Sequence, residues 1–101
     1  MDFDRDPVTI DLSERARILF RSGGRPIDHY AVMLQVEIDG EWHTVRLIDN
    51  HLDRHHMHRY DGRGKGDPEH FAHGTVNEVI PQAIRYMRDH FQPIIDSWTT
   101  A

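Results

Sequence analysis

The stretch from Tyr30 to Ile38 constrains the fold of this chain more than any other. Tyr30, Val32, Leu34, Val36 and Ile38 alternate with Ala31, Met33, Gln35 and Glu37, the period-two pattern of a strand that buries one face. Asp39-Gly40 follows at once. A loop of that composition suits a type I′ turn, whose twist matches two paired antiparallel strands. The chain must therefore return beside itself, in a register set by the turn. Ile38 falls opposite Glu41, Val36 opposite His43, Leu34 opposite Val45, Val32 opposite Leu47 and Tyr30 opposite Asp49. Trp42, Thr44, Arg46, Ile48 and Asn50 then share the second face with Met33, Gln35 and Glu37. Asp49 and His51 lie at the rim, where the apolar face runs out.

Other strands gather around this hairpin. Val8-Thr9-Ile10-Asp11-Leu12 alternates like a short edge strand, and residues 1–15 as a whole read as that strand or a loosely attached arm. Ala16 to Arg21 is a second candidate, closed by the turn Ser22-Gly23-Gly24-Arg25-Pro26. His55 to Tyr60 is a third. There His56, His58 and Tyr60 share one face while His55, Met57 and Arg59 share the other. Gly62 to Pro68 reads as a flexible loop, and Glu69 to Gly74 has no periodicity.

The C-terminal segment is helical. Val76, Val79, Ile80, Ala83, Ile84, Met87, Phe91, Ile94, Ile95 and Trp98 recur at the spacing of an apolar helix stripe. Thr75-Val76-Asn77-Glu78 has the form of a capping box. Pro81 favours a start near Asn77 or Glu78, which places it in the first turn. Pro93 lacks the N–H that would bond the Asp89 carbonyl and should kink the helix. The expected architecture is α+β, a single domain over 1–101. It is an antiparallel meander of three to five strands with one long helix packed across one face.

Composition narrows the chemistry. The 101 residues include no cysteine, which excludes disulfides and thiolate metal sites. No run approaches the roughly 20 apolar residues of a membrane span, and the charged start Met1-Asp2-Phe3-Asp4-Arg5-Asp6 lacks a signal peptide's apolar core. A cytoplasmic protein without a membrane partner is expected. The net charge is −5, unlike a general nucleic-acid binder. Yet Arg46 to Lys65 holds five basic residues against three aspartates, enough to give local positive potential.

That basic zone also holds the histidines. Six of nine lie between His51 and His73. Imidazole, with an ordinary pKa near 6.5, serves both proton transfer and metal binding. On a strand, His56 and His58 would stand about 6.6–7 Å apart on one face, a gap that can straddle a phosphate. As acid and base they could drive cleavage of RNA by its own 2′-hydroxyl. Arg59 or Arg54 would supply the cation, and Asp49 or His51 would orient a ring. Asn50, Arg54, Tyr60, Arg63 and Lys65 flank them as substrate-binding candidates. The alternative is a metal site of a hydrolase or sensor: His56 and His58 offer two ligands on one side of a strand, His51 foremost, or else Asp49, His70 or His73, completes the set around a divalent ion such as zinc, and a water fills the open position. A third reading is an interaction module, whose open sheet face with Trp42, Met33 and Ile48 docks a partner or a second copy. His29, His43 and His90 are isolated and read as surface or partly buried polar residues, and His55, facing away from His56 and His58, reads as structural or solvated.

Arg46-Leu47-Ile48-Asp49-Asn50-His51, followed by His56-Met57-His58-Arg59-Tyr60-Asp61, resembles the hallmark of TumE-like proteins, small toxins of toxin–antitoxin pairs. The likeness spans about residues 28–98, with Asp49, Asn50, His51, His56 and His58 as the matching positions. It implies a toxin-like protein acting on RNA, neutralised by an antitoxin encoded nearby. Together with the paired histidines it makes a metal-independent ribonuclease, with no cofactor, the leading expectation. A homodimer is a further expected form.

Overall fold

In the computed structural model, which describes residues 2–99, six antiparallel strands and one helix follow each other in simple order. The strands are β1 (Val8–Ser13), β2 (Ala16–Gly23), β3 (His29–Ile38), β4 (Glu41–Asp49), β5 (His55–Asp61) and β6 (Gly64–Ala72). Each pairs with its sequence neighbour, so the sheet order is β1-β2-β3-β4-β5-β6. Helix α1 (Val76–Thr99) crosses one face, chiefly over β3 and β4. The architecture is α+β as expected, with six strands rather than three to five.

The additional strand is β6, in the stretch read from sequence as loop. Its first seven residues are exposed, so no buried face imposes a period on its sequence. Edge strands also tolerate Gly66 and Pro68, because one side of the ladder has no partner. β1, the strand at the other edge, pairs Val8 with Phe20 and Ile10 with Ile18.

The apolar half of β3 faces the helix, and Tyr30, Val32 and Leu34 are wholly buried with Ile18, Ile48, Val79, Ala83 and Met87. The turn at Asp39-Gly40 has positive φ at both residues, as a type I′ loop requires. Ile38↔Glu41 and Val36↔His43 pair as the turn dictates. Beyond them the expected register fails. A bulge at Val45 puts Leu34 opposite Arg46, Val32 opposite Ile48 and Ala31 opposite Asp49. One extra residue exchanges the faces of everything after it. Ile48 is therefore in the core and not on the open face, and Arg46 lies beneath the helix, donating to the Tyr86 hydroxyl at 3.1 Å. Burial holds the Arg46 guanidinium below its ordinary pKa, with Arg59 acting in the same direction. Asp49 moves to the face away from the helix.

The helix start also differs from expectation. Thr75 and Glu78 form the reciprocal capping box, with the Glu78 amide donating to Thr75 Oγ1 and the Thr75 amide to Glu78 Oε1, both at 3.3 Å. The helix consequently begins at Val76, and Pro81 lies inside it. Asn77, whose carbonyl Pro81 cannot engage, is exposed, so water can satisfy that group. The helix continues through both Pro81 and Pro93. No helix among the described residues is long and apolar enough to cross a membrane.

Candidate metal centre

Antiparallel partners point to the same side of a sheet, so the pairings carry rows of side chains across the face away from the helix. One row runs Arg21, Ala31, Asp49, His56, His70, and its neighbour runs Leu19, Met33, Leu47, His58, Pro68. Asp49 thus stands directly opposite His56, with His58 one step along the same strand. One ligand atom from each of Asp49, His56 and His58 lies within 4.8 Å of the others. The two rings stand edge to face with centroids 6.3 Å apart.

The carboxylate in this group is unusual. Asp49 is 8 % exposed, its Oδ1 is buried without a hydrogen-bond partner, and no described residue forms an ion pair with it. Its charge is felt nearby. Burial first, and Asp49 second, push the Tyr60 hydroxyl above its ordinary pKa, and the same two causes act more strongly on Tyr30. A buried carboxylate left unpaired costs several kcal/mol. A cation between Asp49 and the imidazoles would remove that cost.

His58 is prepared for such a role. Its Nδ1 donates to the Gly66 carbonyl at 3.0 Å. A carbonyl only accepts, so Nδ1 carries the proton, and the neutral ring in this tautomer would present its Nε2 lone pair. A backbone carbonyl behind a ligating histidine is a common arrangement for orienting the ring.

His51 does not join the group. It belongs to the 3-10 turn His51–Asp53 between β4 and β5 and is exposed. It does line a hollow of about 400 Å³ beside Asp49, together with Arg21, Met33, Lys65 and Phe3. A second hollow, of about 520 Å³, lies behind His56 and contains Arg54, His70 and His73. The His70 and His73 rings are 4.3 Å apart.

Three sequence candidates are placed elsewhere. Arg59 pairs with Arg46 on the helix side, pointing away from His56 and His58, and donates to Glu69 at 2.7 Å. Asn50 is buried with both the oxygen and the nitrogen of its amide engaged. Its Oδ1 accepts from the Tyr30 amide at 3.0 Å, and its Nδ2 donates to the Asp28 carbonyl at 2.8 Å. It ties the end of β4 to the start of β3. Arg63 is exposed in the β5–β6 turn, its backbone amide bonded to Asp61. Of the structural and solvated roles expected for His55 from its side of the strand, the structure shows the first. Its Nε2 donates to the Gly74 carbonyl and its Nδ1 accepts from the Tyr30 hydroxyl, both at 2.8 Å.

Arg21 is the residue that sequence reasoning missed. Alternation along β2 puts Arg17, Leu19 and Arg21 on one face, but nothing local says that this face meets Asp49 two strands away. Phe3 was equally silent. It reaches the hollow because the Arg5 amide and side chain bond the carbonyls of Ser22 and Gly24 and fix the N-terminal segment over β2. Of the open-face residues named for docking, Met33 lines the hollow, and Trp42 lies under the Arg17 guanidinium, 3.9 Å from its ring centre.

A family model described as a domain of unknown function, DUF7718, matches residues 3–101. The chain belongs to that family. No curated protein and no solved structure matches it. The family description carries no activity.

Proposed function

We propose that this DUF7718 protein is a divalent-metal-dependent hydrolase whose ion is held by Asp49, His56 and His58. The observation that carries the reading is the buried, partnerless Asp49 carboxylate facing two imidazoles, with one donor atom of each residue within 4.8 Å of the others. Of the third ligands open from sequence, the reading takes Asp49 in place of His51, the foremost of them. Two imidazoles and one carboxylate suit zinc, iron or manganese, and three protein ligands leave positions open for water or substrate. Such an ion lowers the pKa of bound water and so supplies a nucleophile near neutral pH. The protein's part is to fix the ligands. The Gly66 carbonyl holds His58 in one tautomer, and β4–β5 pairing sets Asp49 against His56.

The test is elemental analysis of untagged protein. One equivalent of zinc, iron or manganese per chain is expected, and His56→Ala, His58→Ala and Asp49→Asn should each lose it while keeping the circular dichroism of the fold. Wild-type protein that takes up no metal on reconstitution would overturn the reading. Cleavage of RNA in the presence of a chelator would instead favour His56 and His58 as a metal-free acid–base pair, since the same two rings serve both accounts.

A further inference from the structure

We infer that the hollow beside Asp49 is the substrate pocket of this centre, and that it takes a small phosphorylated molecule whose phosphate is gripped by Arg21 and Lys65. The inference rests on the metal-centre reading for where chemistry would occur, but its own support lies in the far wall of the hollow. Arg21 Nε is buried with no hydrogen-bond partner. Among the described residues its guanidinium makes no ion pair, and its charged end faces only the Phe3 ring, 5.4 Å away. Lys65 reaches the same hollow from β6, likewise without an ion pair among the described residues. The hollow is thus bounded by one partnerless anion and two partnerless cations.

These charges do not neutralise one another directly. Arg21 and Asp49 occupy the same row with β3 between them, a separation of about 9.5 Å at the usual strand spacing. A divalent ion at Asp49 would leave the hollow with an excess of about three positive charges once Arg21 and Lys65 are counted. A phosphate monoester carries about −1.5 to −2 at neutral pH, a closer match than the single charge of a carboxylate. The arginine fork can hold two of its oxygens at once. A volume of about 400 Å³ suits a small molecule. A polymer would need a long basic track, whereas this chain is acidic overall and only Arg21 and Lys65 bring arginine or lysine charge to the lining of the hollow.

The experiment is isothermal titration of inorganic phosphate into metal-loaded, desalted protein, with metal content measured on each sample. Wild type should bind, and Arg21→Gln should bind about tenfold or more weakly, as expected for losing hydrogen bonds to a charged group. Lys65→Gln, an exposed position that leaves the fold untouched, should weaken binding in the same direction with metal content unchanged. Wild-type protein that ignores phosphate while holding its metal would overturn this inference and leave the metal centre standing. Phosphate affinity equal to wild type in both variants would overturn it as well. Protein that takes up no metal but still loses phosphate affinity on Arg21→Gln would sink the metal reading and support the anion grip.

Discussion

Replacing Asp49 with Asn should make the metal-free protein more stable while abolishing its response to metal. Asn fills nearly the same volume and removes a charge that no described residue compensates, at a position 8 % exposed. The desolvation penalty of an unsatisfied buried group is about 1–3 kcal/mol, and more when it is charged. The open hollow beside Asp49 admits some water, so about 1 kcal/mol is the conservative expectation. For a domain of about 100 residues that raises Tm by roughly 4–8 °C. Metal acts unequally on the two proteins. At one hundred times its Kd an ion stabilises wild type by about 2.7 kcal/mol, and the variant by little or nothing. The assay is thermal unfolding of chelator-treated and metal-loaded samples of each. If chelator-treated Asp49→Asn melts below chelator-treated wild type, Asp49 has a favourable partner and the reasoning is wrong. A metal-induced shift that survives in the variant would refute it too.

Asn50→Ala should cost about 2–4 kcal/mol in chemical denaturation, because the Tyr30 amide and the Asp28 carbonyl both lose a buried partner, while metal stoichiometry in the folded protein stays the same. Burial and Asp49 raise the pKa of Tyr30. Its folded state therefore keeps the phenol proton when the unfolded chain gives it up, and stability should be full below pH 10 and fall above it. Tyr30→Phe should flatten that alkaline decline in a pH series of melts, although it lowers stability at neutral pH by leaving His55 Nδ1 unpartnered. Thr75→Ala should destabilise by about 1 kcal/mol through loss of the N-cap. The lowered pKa of Glu78, held by the same cap, means its share is present above the ordinary carboxylate pKa and lost as pH falls through the lowered value. Leu52 has a φ of 60° and is 76 % exposed. Leu52→Gly should leave stability equal or raise it by up to about 1 kcal/mol, because relief of left-handed strain outweighs the added chain entropy.

The elements that bury one face in water-excluding contact were legible in the sequence. β3 and α1 declare themselves through periods of two and of roughly 3.6, because each must hide one side. The Asp39-Gly40 turn and the Thr75–Glu78 box are equally local, since a positive φ and a four-residue hydrogen-bond exchange are decided by neighbours. β6 was not legible, because an exposed edge strand places no demand on its side chains. The bulge at Val45 was not legible either. An apolar residue follows the alternation there whether or not it is paired, and only packing under the helix decides that Arg46 and Ile48 turn inward.

The sequence by itself determined that imidazoles and carboxylates would crowd the end of the β3–β4 hairpin, with His56 and His58 on one strand face. Which carboxylate or third imidazole they meet was decided by the tertiary structure alone. A one-residue slip in β4 carries Asp49 through the sheet from the helix side to the histidine side, and six-strand pairing brings Arg21 and Lys65 to the same hollow. Side-chain direction along a strand is a parity, and parity across strands depends on every bulge between them. Local chemistry supplies the groups, and only long-range register can bring them to one place.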